Sequence, residues 1–461
     1  MVMNTPDIDS LAASADTMRR AGDLTSAAQI FDQILAEHPG QLRAMRGRAR
    51  IALARGESDA LERFDNALNV DPGDADLWLG KAQALDLVGD ADGAMAVAQR
   101  ICDQAPGWLE GLRFLARLKL ANGDKDFTSH YSDALTRLPE DPNIWYDWAN
   151  QLAGADRFGE AAEIAERASA RFAKEQAFVL QHATHASSAG DLDLADQLFG
   201  ELSIGSADYR RNAARHRIRK REFERAESML DQVITEDQSD IAAWALLGLV
   251  WRMTDDRKAD WLHGQPGLFG LHELADCDSV LPRAIALLND LHDQASLPIG
   301  QSLRGGTQTR GNLFDRLEPE LTMLRDAIQE TLAQFRSGLP AHDEAHPILR
   351  HRDQRWSLAG SWSVRLSAGG DHHKAHIHPA GVISSALYLE VPLNAVQSPN
   401  RDGWLEIGRP PADLNLELEP LATIKPKAGH LALFPSTLYH GTRTFDAGQR
   451  MSVAFDVVAK P

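Results

Sequence analysis

Four prolines, Pro39, Pro72, Pro106 and Pro139, stand 33, 34 and 33 residues apart. The pairs Gly22-Asp23, Gly56-Glu57, Gly89-Asp90, Gly123-Asp124 and Gly190-Asp191 recur with a matching period. Between these marks the apolar spacing is helical, as in Ala27, Ala28, Ile30, Phe31, Ile34 and Leu35, and again in Ala60, Leu61, Phe64, Ala67 and Leu68. Small residues at one position let two helices approach while the Phe fills the next layer, and Gly and Pro end the helices at the turns. A chain with this period folds into stacked helix–turn–helix units, a quasi-one-dimensional array.

This half resembles tetratricopeptide repeats. The pattern is clear over residues 8–139 and looser through 204, where Gly190, Ala195 and Phe199 keep the phase. A further unit opens at Asp240 with Trp244, Leu247, Gly248 and Trp251. Seven or eight units result, the last merging into the next domain, which places an α-solenoid over residues 8–260. The resemblance implies a concave face that takes a protein or peptide partner; the plainer alternative is a dimerisation or spacer element, so a homo-oligomer stays open. Trp145, Tyr146 and Trp148 read as core rather than groove. Arg210, Arg211, Arg215, Arg217, Arg219, Lys220, Arg221 and Arg225 crowd one unit. They read as a solvated face neutralised by neighbouring acids, in preference to a dock for an acidic partner or nucleic acid.

A length of 461 residues sets an expectation of two or three domains. The formal charge of -18 argues against a nucleic-acid binder, because phosphate binding needs surplus Lys and Arg. No run of about 18 apolar residues is present, so no spanning helix and no membrane role are expected. The first residues show neither a basic stretch nor an apolar one, so no signal peptide is expected. Cys102 and Cys277 are the only cysteines; a disulfide framework is excluded, and a reducing cytoplasm is the natural compartment.

Near Trp261 the repeat pattern stops. Residues 262–270 break helicity, and 281–292 read as one more amphipathic helix. The glycine-rich segment 301–314 lacks the Gly-Lys-Ser/Thr ending of a phosphate loop, and the helix over 318–337 starts too late for one. After Pro340 come short β-type runs, at 361–366, 382–391, 430–434 and 450–458, separated by Gly and Pro turns. Many short strands after an all-helical array indicate a separate β-sandwich or jelly roll.

Within that region His372, His373, His376 and His378 fall inside seven residues, and His440 comes later. On a strand, the i, i+2 spacing of His376 and His378 puts both imidazoles on one face. Two ligands close together and a third from a later strand form a facial metal site with open positions. Its two-His, one-carboxylate version marks non-haem Fe(II) oxygenases, but here the carboxylate is missing. Alternation along 450–458 sets Arg450, Ser452 and Ala454 on one face and Met451, Val453 and Phe455 on the other. The planar fork of Arg450 suits the carboxylate of a dicarboxylate co-substrate. Along 382–388 the same alternation lets Tyr388 share the interior with Ser384 and Ala386.

Residues 362–389 and 424–456 resemble the two halves of a 2-oxoglutarate/Fe(II) oxygenase of prolyl-hydroxylase type, closest to a bacterial group that often has tetratricopeptide repeats in front. The likeness covers roughly residues 261–461. It implies a double-stranded β-helix (jelly-roll) domain with flanking helices over 261–461, and so a multidomain α and β chain. It implies Fe(II) held by His376 and His440. The usual carboxylate ligand falls on His378, either a third ligand or a residue serving elsewhere. The resemblance also implies 2-oxoglutarate as co-substrate, with Arg450 on its distal carboxylate, Tyr388 donating a hydrogen bond to it, and Ser452 on the same wall. Arg304, Gln308 and Thr309, with His372 and His373, are candidates for the substrate entrance. The implied reaction consumes 2-oxoglutarate and O2, releases succinate and CO2, and hydroxylates a protein or peptide brought by the repeats. Two other readings compete: a repeat scaffold with an inert barrel, and a three-histidine oxygenase that does not use 2-oxoglutarate.

Overall fold

A computed structural model describes residues 5–293, 302–367 and 369–460; residues 1–4, where a leader would begin, and Gln301, which opens the glycine-rich segment, lie outside them. The helices fall in antiparallel pairs at the expected period, from Thr5–Arg20 with Leu24–Glu37 through Ala207–Arg219 with Phe223–Glu236, and then comes Ile241–Thr254. The recurring Gly-Asp pair explains several of the tight turns. Gly22, Gly89 and Gly190 take the left-handed conformation, with φ of +87°, +83° and +93°, which an L side chain resists. The next residue, Asp23, Asp90 or Asp191, then caps the following helix by accepting the N–H of Ser26, Gly93 or Leu194. At two turns the glycine is replaced, and Asp156 and Arg221 hold φ of +63° and +59°. Between units, small meets large: a Cβ at Gly47 would lie 2.3 Å from the Phe31 ring.

The chain forms two compact units, residues 1–144 with 310–318, and residues 145–309 with 319–461. In the first, the segment 310–318 is anchored to the helices by Arg310, which meets the Asp86 carboxylate at 2.7 Å; Asp86 also pairs with Arg117 at 3.1 Å. The second unit starts well before residue 261, and its core shows why. Trp244, Leu247 and Val250 of the last repeat helix pack in one cluster with Leu414 and Tyr439 from the β region, and Ile377 lies against it.

The arginine cluster belongs to this unit, and it departs from the expected solvated face. Arg210, Arg211, Arg217 and Lys220 do meet acids of the repeats, namely Glu236, Asp240 and Asp196. Arg215 and Arg219, however, turn to Asp413 of the β region, at 2.9 and 2.5 Å. The acidic partner of this face is the chain itself. Tyr146 also differs from the core reading: it is 41 % exposed, while Trp145 is buried.

The strands are β1 (Gly270–Glu273), β2 (Leu303–Arg304), β3 (Thr307–Gln308), β4 (Arg355–Ser367), β5 (His372–His373) and β6 (Ile383–Glu390). They continue with β7 (Leu405–Ile407), β8 (Ala422–Ile424), β9 (His430–Pro435), β10 (His440–Thr442) and β11 (Gln449–Lys460). A six-stranded sheet runs β1-β9-β6-β11-β4-β3, a smaller one β10-β7-β8, and β2 pairs with β5. Every pairing is antiparallel, as in a jelly roll. Helices Cys277–Asp293 and Pro319–Ser337 flank the sheets. His292 pins the first of them, touching the hydroxyls of Thr307 and Ser363 at 2.9 and 2.8 Å. Among the described residues no helix is long and apolar enough to cross a membrane.

Candidate metal centre

The histidine segment is not a continuous strand. His373 ends β5, His376 makes a single antiparallel bridge to His440, and His378 lies in the turn that leads to β6. The bridge is a full pair, His376 N–H to His440 O at 3.0 Å and the reverse at 2.9 Å. It brings together two residues far apart in the chain. The approach requires Gly441, where a Cβ would lie 2.7 Å from the His373 carbonyl oxygen.

As a result His376, His378 and His440 each offer a ring nitrogen, all within 4.8 Å of one another. The Nε2 atoms of His376 and His378 are 3.0 Å apart. The other nitrogen of each ring is engaged: Nδ1–H of His376 donates to Lys374 O at 2.8 Å, and that of His440 to Leu438 O at 3.1 Å. His378 donates from Nδ1 to the Asp456 carboxylate. These partners leave Nε2 of each ring with its lone pair facing the common space, the tautomer a metal ligand needs. Burial, with His378 close by, pushes His376 down to about 3, and burial holds His440 well below the usual imidazole range. Neutral imidazoles in such a set suit Fe, Zn or Cu.

The site opens on a cavity of about 370 Å³ whose wall includes all three histidines and, along β11, Arg450, Ser452, Ala454 and Asp456. Met451, Val453, Phe455 and Val457 face the other way and are fully buried, so the alternation read along this strand is the one the structure shows. Arg450 is 3 % exposed and donates from Nη1 to Gly403 O at 2.7 Å. Its guanidinium carbon lies 4.9 Å from the centre of the Tyr388 ring. The Tyr388 hydroxyl and Arg450 Nε are buried without a hydrogen-bond partner among the described residues. Buried donors of this kind are rare in folded proteins and are the donors an anionic ligand would satisfy. The residues thus fit both a divalent metal and a carboxylate co-substrate.

The candidate entrance residues separate. Gln308 and His373 line the cavity, and Ser302 does so beside His373, its hydroxyl 3.1 Å from Nδ1. Thr309 does not; it is buried, and its hydroxyl accepts the Ser363 N–H at 2.9 Å. Arg304 is held away from the wall by Asp156, at 2.8 Å from Nε, and His372 turns back to Gly370 O at 2.7 Å. Sequence reasoning missed two acids. Asp456 sat in a strand read only for its alternation, and Asp156 sat in a repeat turn where glycine was the pattern. Asp156 takes Lys374 as well as Arg304, and so ties both β2 and the segment after β5 to the repeats.

Paired helices of this period, then a jelly roll with three convergent histidines, are the plan of a tetratricopeptide-repeat protein with a C-terminal oxygenase domain. Comparison with known families finds the same two parts. Residues 360–456 match the family described as "Putative 2OG-Fe(II) oxygenase", and residues 13–60 and 57–118 match tetratricopeptide repeat families. The chain is therefore a repeat protein with a C-terminal domain of that oxygenase family. Among solved structures, a tetratricopeptide repeat protein from Parabacteroides merdae is 15 % identical, over 53 % of this chain and 98 % of that one, with a TM-score of 0.35. Yeast Tom70 is also 15 % identical, over 55 % of each chain, with a TM-score of 0.40. A thermophilic repeat protein of Thermus thermophilus is 25 % identical over 32 % of this chain and 81 % of that one, with a TM-score of 0.27. Among curated proteins none matches.

Proposed function

We propose that the chain is a 2-oxoglutarate- and Fe(II)-dependent dioxygenase that hydroxylates a protein or peptide. In this reading residues 261–461 form the oxygenase domain and residues 8–260 the recruiting array. His376, His378 and His440 hold the iron, Arg450 and Tyr388 hold the distal carboxylate of 2-oxoglutarate, and Ser452 lies on the wall between them. The observation that carries the reading is the coincidence, in one cavity, of three convergent imidazoles with the buried Arg450 guanidinium, beside which stands Tyr388; the Tyr388 hydroxyl and Arg450 Nε have no hydrogen-bond partner among the described residues. A structural histidine cluster would not explain the donors, and a simple metal-storage site would not need them.

Iron with 2-oxoglutarate supplies the oxidising chemistry, in which the keto acid is decarboxylated to succinate and one atom of O2 enters the substrate. The protein's own residues do the rest. The backbone bridge fixes His376 against His440, and the Nδ1 partners keep every Nε2 free of a proton. Arg450 offers a fixed, buried charge on the cavity wall, where the interaction is stronger than in open solvent. Gln308 and His373 face the remaining space as substrate contacts. The unpaired thiols Cys102 and Cys277 suit work in the reducing cytoplasm.

The test is anaerobic visible absorption of the apo protein titrated with Fe(II) and then 2-oxoglutarate. Chelation of iron by the keto acid gives a weak charge-transfer band in the wild type, which is lost in His376→Ala and His440→Ala. Iron binding without the band would favour a three-histidine oxygenase that does not use 2-oxoglutarate. Absence of iron binding would leave a repeat scaffold with an inert barrel.

A further inference from the structure

We infer that Asp456 is a positioning residue for the metal, orienting His378 and supplying the negative charge that the ligand set lacks. The inference rests on the reading of His376, His378 and His440 as the ligands. The three imidazoles are not equivalent. His376 and His440 are fixed twice, by their backbone pair and by a carbonyl on each Nδ1. His378 lies outside every strand, and its ring is held by the Asp456 carboxylate on Nδ1, with Trp362 alongside at 5.5 Å between ring centres.

Asp456 is built into this role. It comes after Arg450, Ser452 and Ala454 on the cavity side of β11, and the register against β4 skips Gly360 between Phe455 and Asp456, so the extra residue lies on β4 and the alternation of β11 carries Asp456 to the cavity unbroken. Gly381 makes room for it: a Cβ there would lie 3.2 Å from the Cβ of Asp456. Among the described residues lining the cavity, Asp456 has the sole carboxylate. A divalent cation and the Arg450 guanidinium would face a 2-oxoglutarate dianion, and one more negative charge makes the buried site neutral. In the two-His, one-carboxylate arrangement a ligand provides that charge directly; here it is delivered one residue removed, through His378.

The experiment uses the full-length protein with Co(II) as the probe, read by equilibrium titration and by its visible ligand-field spectrum. Asp456→Asn keeps an oxygen for the His378 Nδ1–H but removes the charge, and is expected to weaken Co(II) about tenfold with the spectrum preserved. Asp456→Ser removes charge and contact, and is expected to weaken it nearer to a hundredfold, within the range typical for partners of metal-bound histidines, and to alter the spectrum. Asp456→Glu should recover part of the loss, and apo melting temperatures serve as the folding control. Wild-type affinity and spectrum in both Asn and Ser variants would overturn the inference. So would complete loss in Asn equal to that in His376→Ala, which would make Asp456 a direct ligand. Unchanged Co(II) binding in His376→Ala would instead overturn the ligand assignment beneath it.

Discussion

At the residue scale the cavity wall and the residues behind it include groups with no hydrogen-bond partner among the described residues. The Tyr388 hydroxyl is fully buried without a partner among the described residues, which costs about 1–3 kcal/mol in the free protein. Tyr388→Phe is therefore expected to leave the apo melting temperature unchanged or raise it, while weakening 2-oxoglutarate about tenfold; a lowered melting temperature would show that the hydroxyl has a partner within the fold. Arg450→Gln removes a charged donor worth about 1.5–3 kcal/mol, so the 2-oxoglutarate concentration needed for half-maximal turnover should rise by roughly tenfold to a hundredfold. An unchanged requirement would move the co-substrate elsewhere. The facing of Arg450 could be read from the alternation along 450–458, whereas the segment 372–378 is not the continuous strand on which the spacing of His376 and His378 would put both on one face. Asp456 was not legible, because its partner His378 lies 78 positions away and an acid on a strand is ordinarily a solvated one.

At the scale of elements, the long strands and helices were legible and the short ones were not. β4, β6, β9 and β11 have enough residues to show alternation, whereas β2, β3 and β5 have two each, too few for any period. Yet β2 and β5 are the strands that join the glycine-rich loop to the histidine segment. The helix Ala207–Arg219 shows a second limit: its charges could be counted, but not the loop they would meet. Arg219 donates to the backbone and carboxylate of Asp413, and Arg215 also reaches the Tyr439 hydroxyl at 3.4 Å, one residue before the ligand His440. Removing Asp413 strands one buried guanidinium, Arg219, and one partly exposed, Arg215, a change that costs up to about 3 kcal/mol. Asp413→Ala is expected to lower the urea midpoint accordingly and to weaken metal binding through Tyr439. A midpoint equal to wild type would mean that water already solvates the pair.

At the scale of the molecule, several buried histidines make stability depend on pH. Burial pushes His130, His185 and His292 down to about 4 and His263 down to about 3. Unfolded, each would take up a proton near pH 6.5, so on acidification the unfolded chain binds protons first. Their contribution is complete above about pH 6.5 and is lost as pH falls through the window towards 3 to 4. The urea midpoint should be flat near neutrality and fall between about pH 6.5 and 4.5, and an unchanged midpoint across that interval would show that these rings reach water. Division of the chain tracks the shared core rather than the sequence pattern. Residues 261–461 expressed alone would expose the faces of Leu414, Tyr439 and Ile377 that pack on Trp244 and Leu247, and should partition to the insoluble fraction, whereas residues 145–461 should stay in solution. This division has a consequence for substitution. Units of about 34 residues at the early end of the array form their own compact unit with the segment 310–318, so a change at Asp86 must also suit Arg310. The helix Ile241–Thr254 is constrained from another side: a change at Trp244 or Leu247 must also fit Leu414 and Tyr439, the residue before His440, so this part of the repeat pattern answers to two architectures at once.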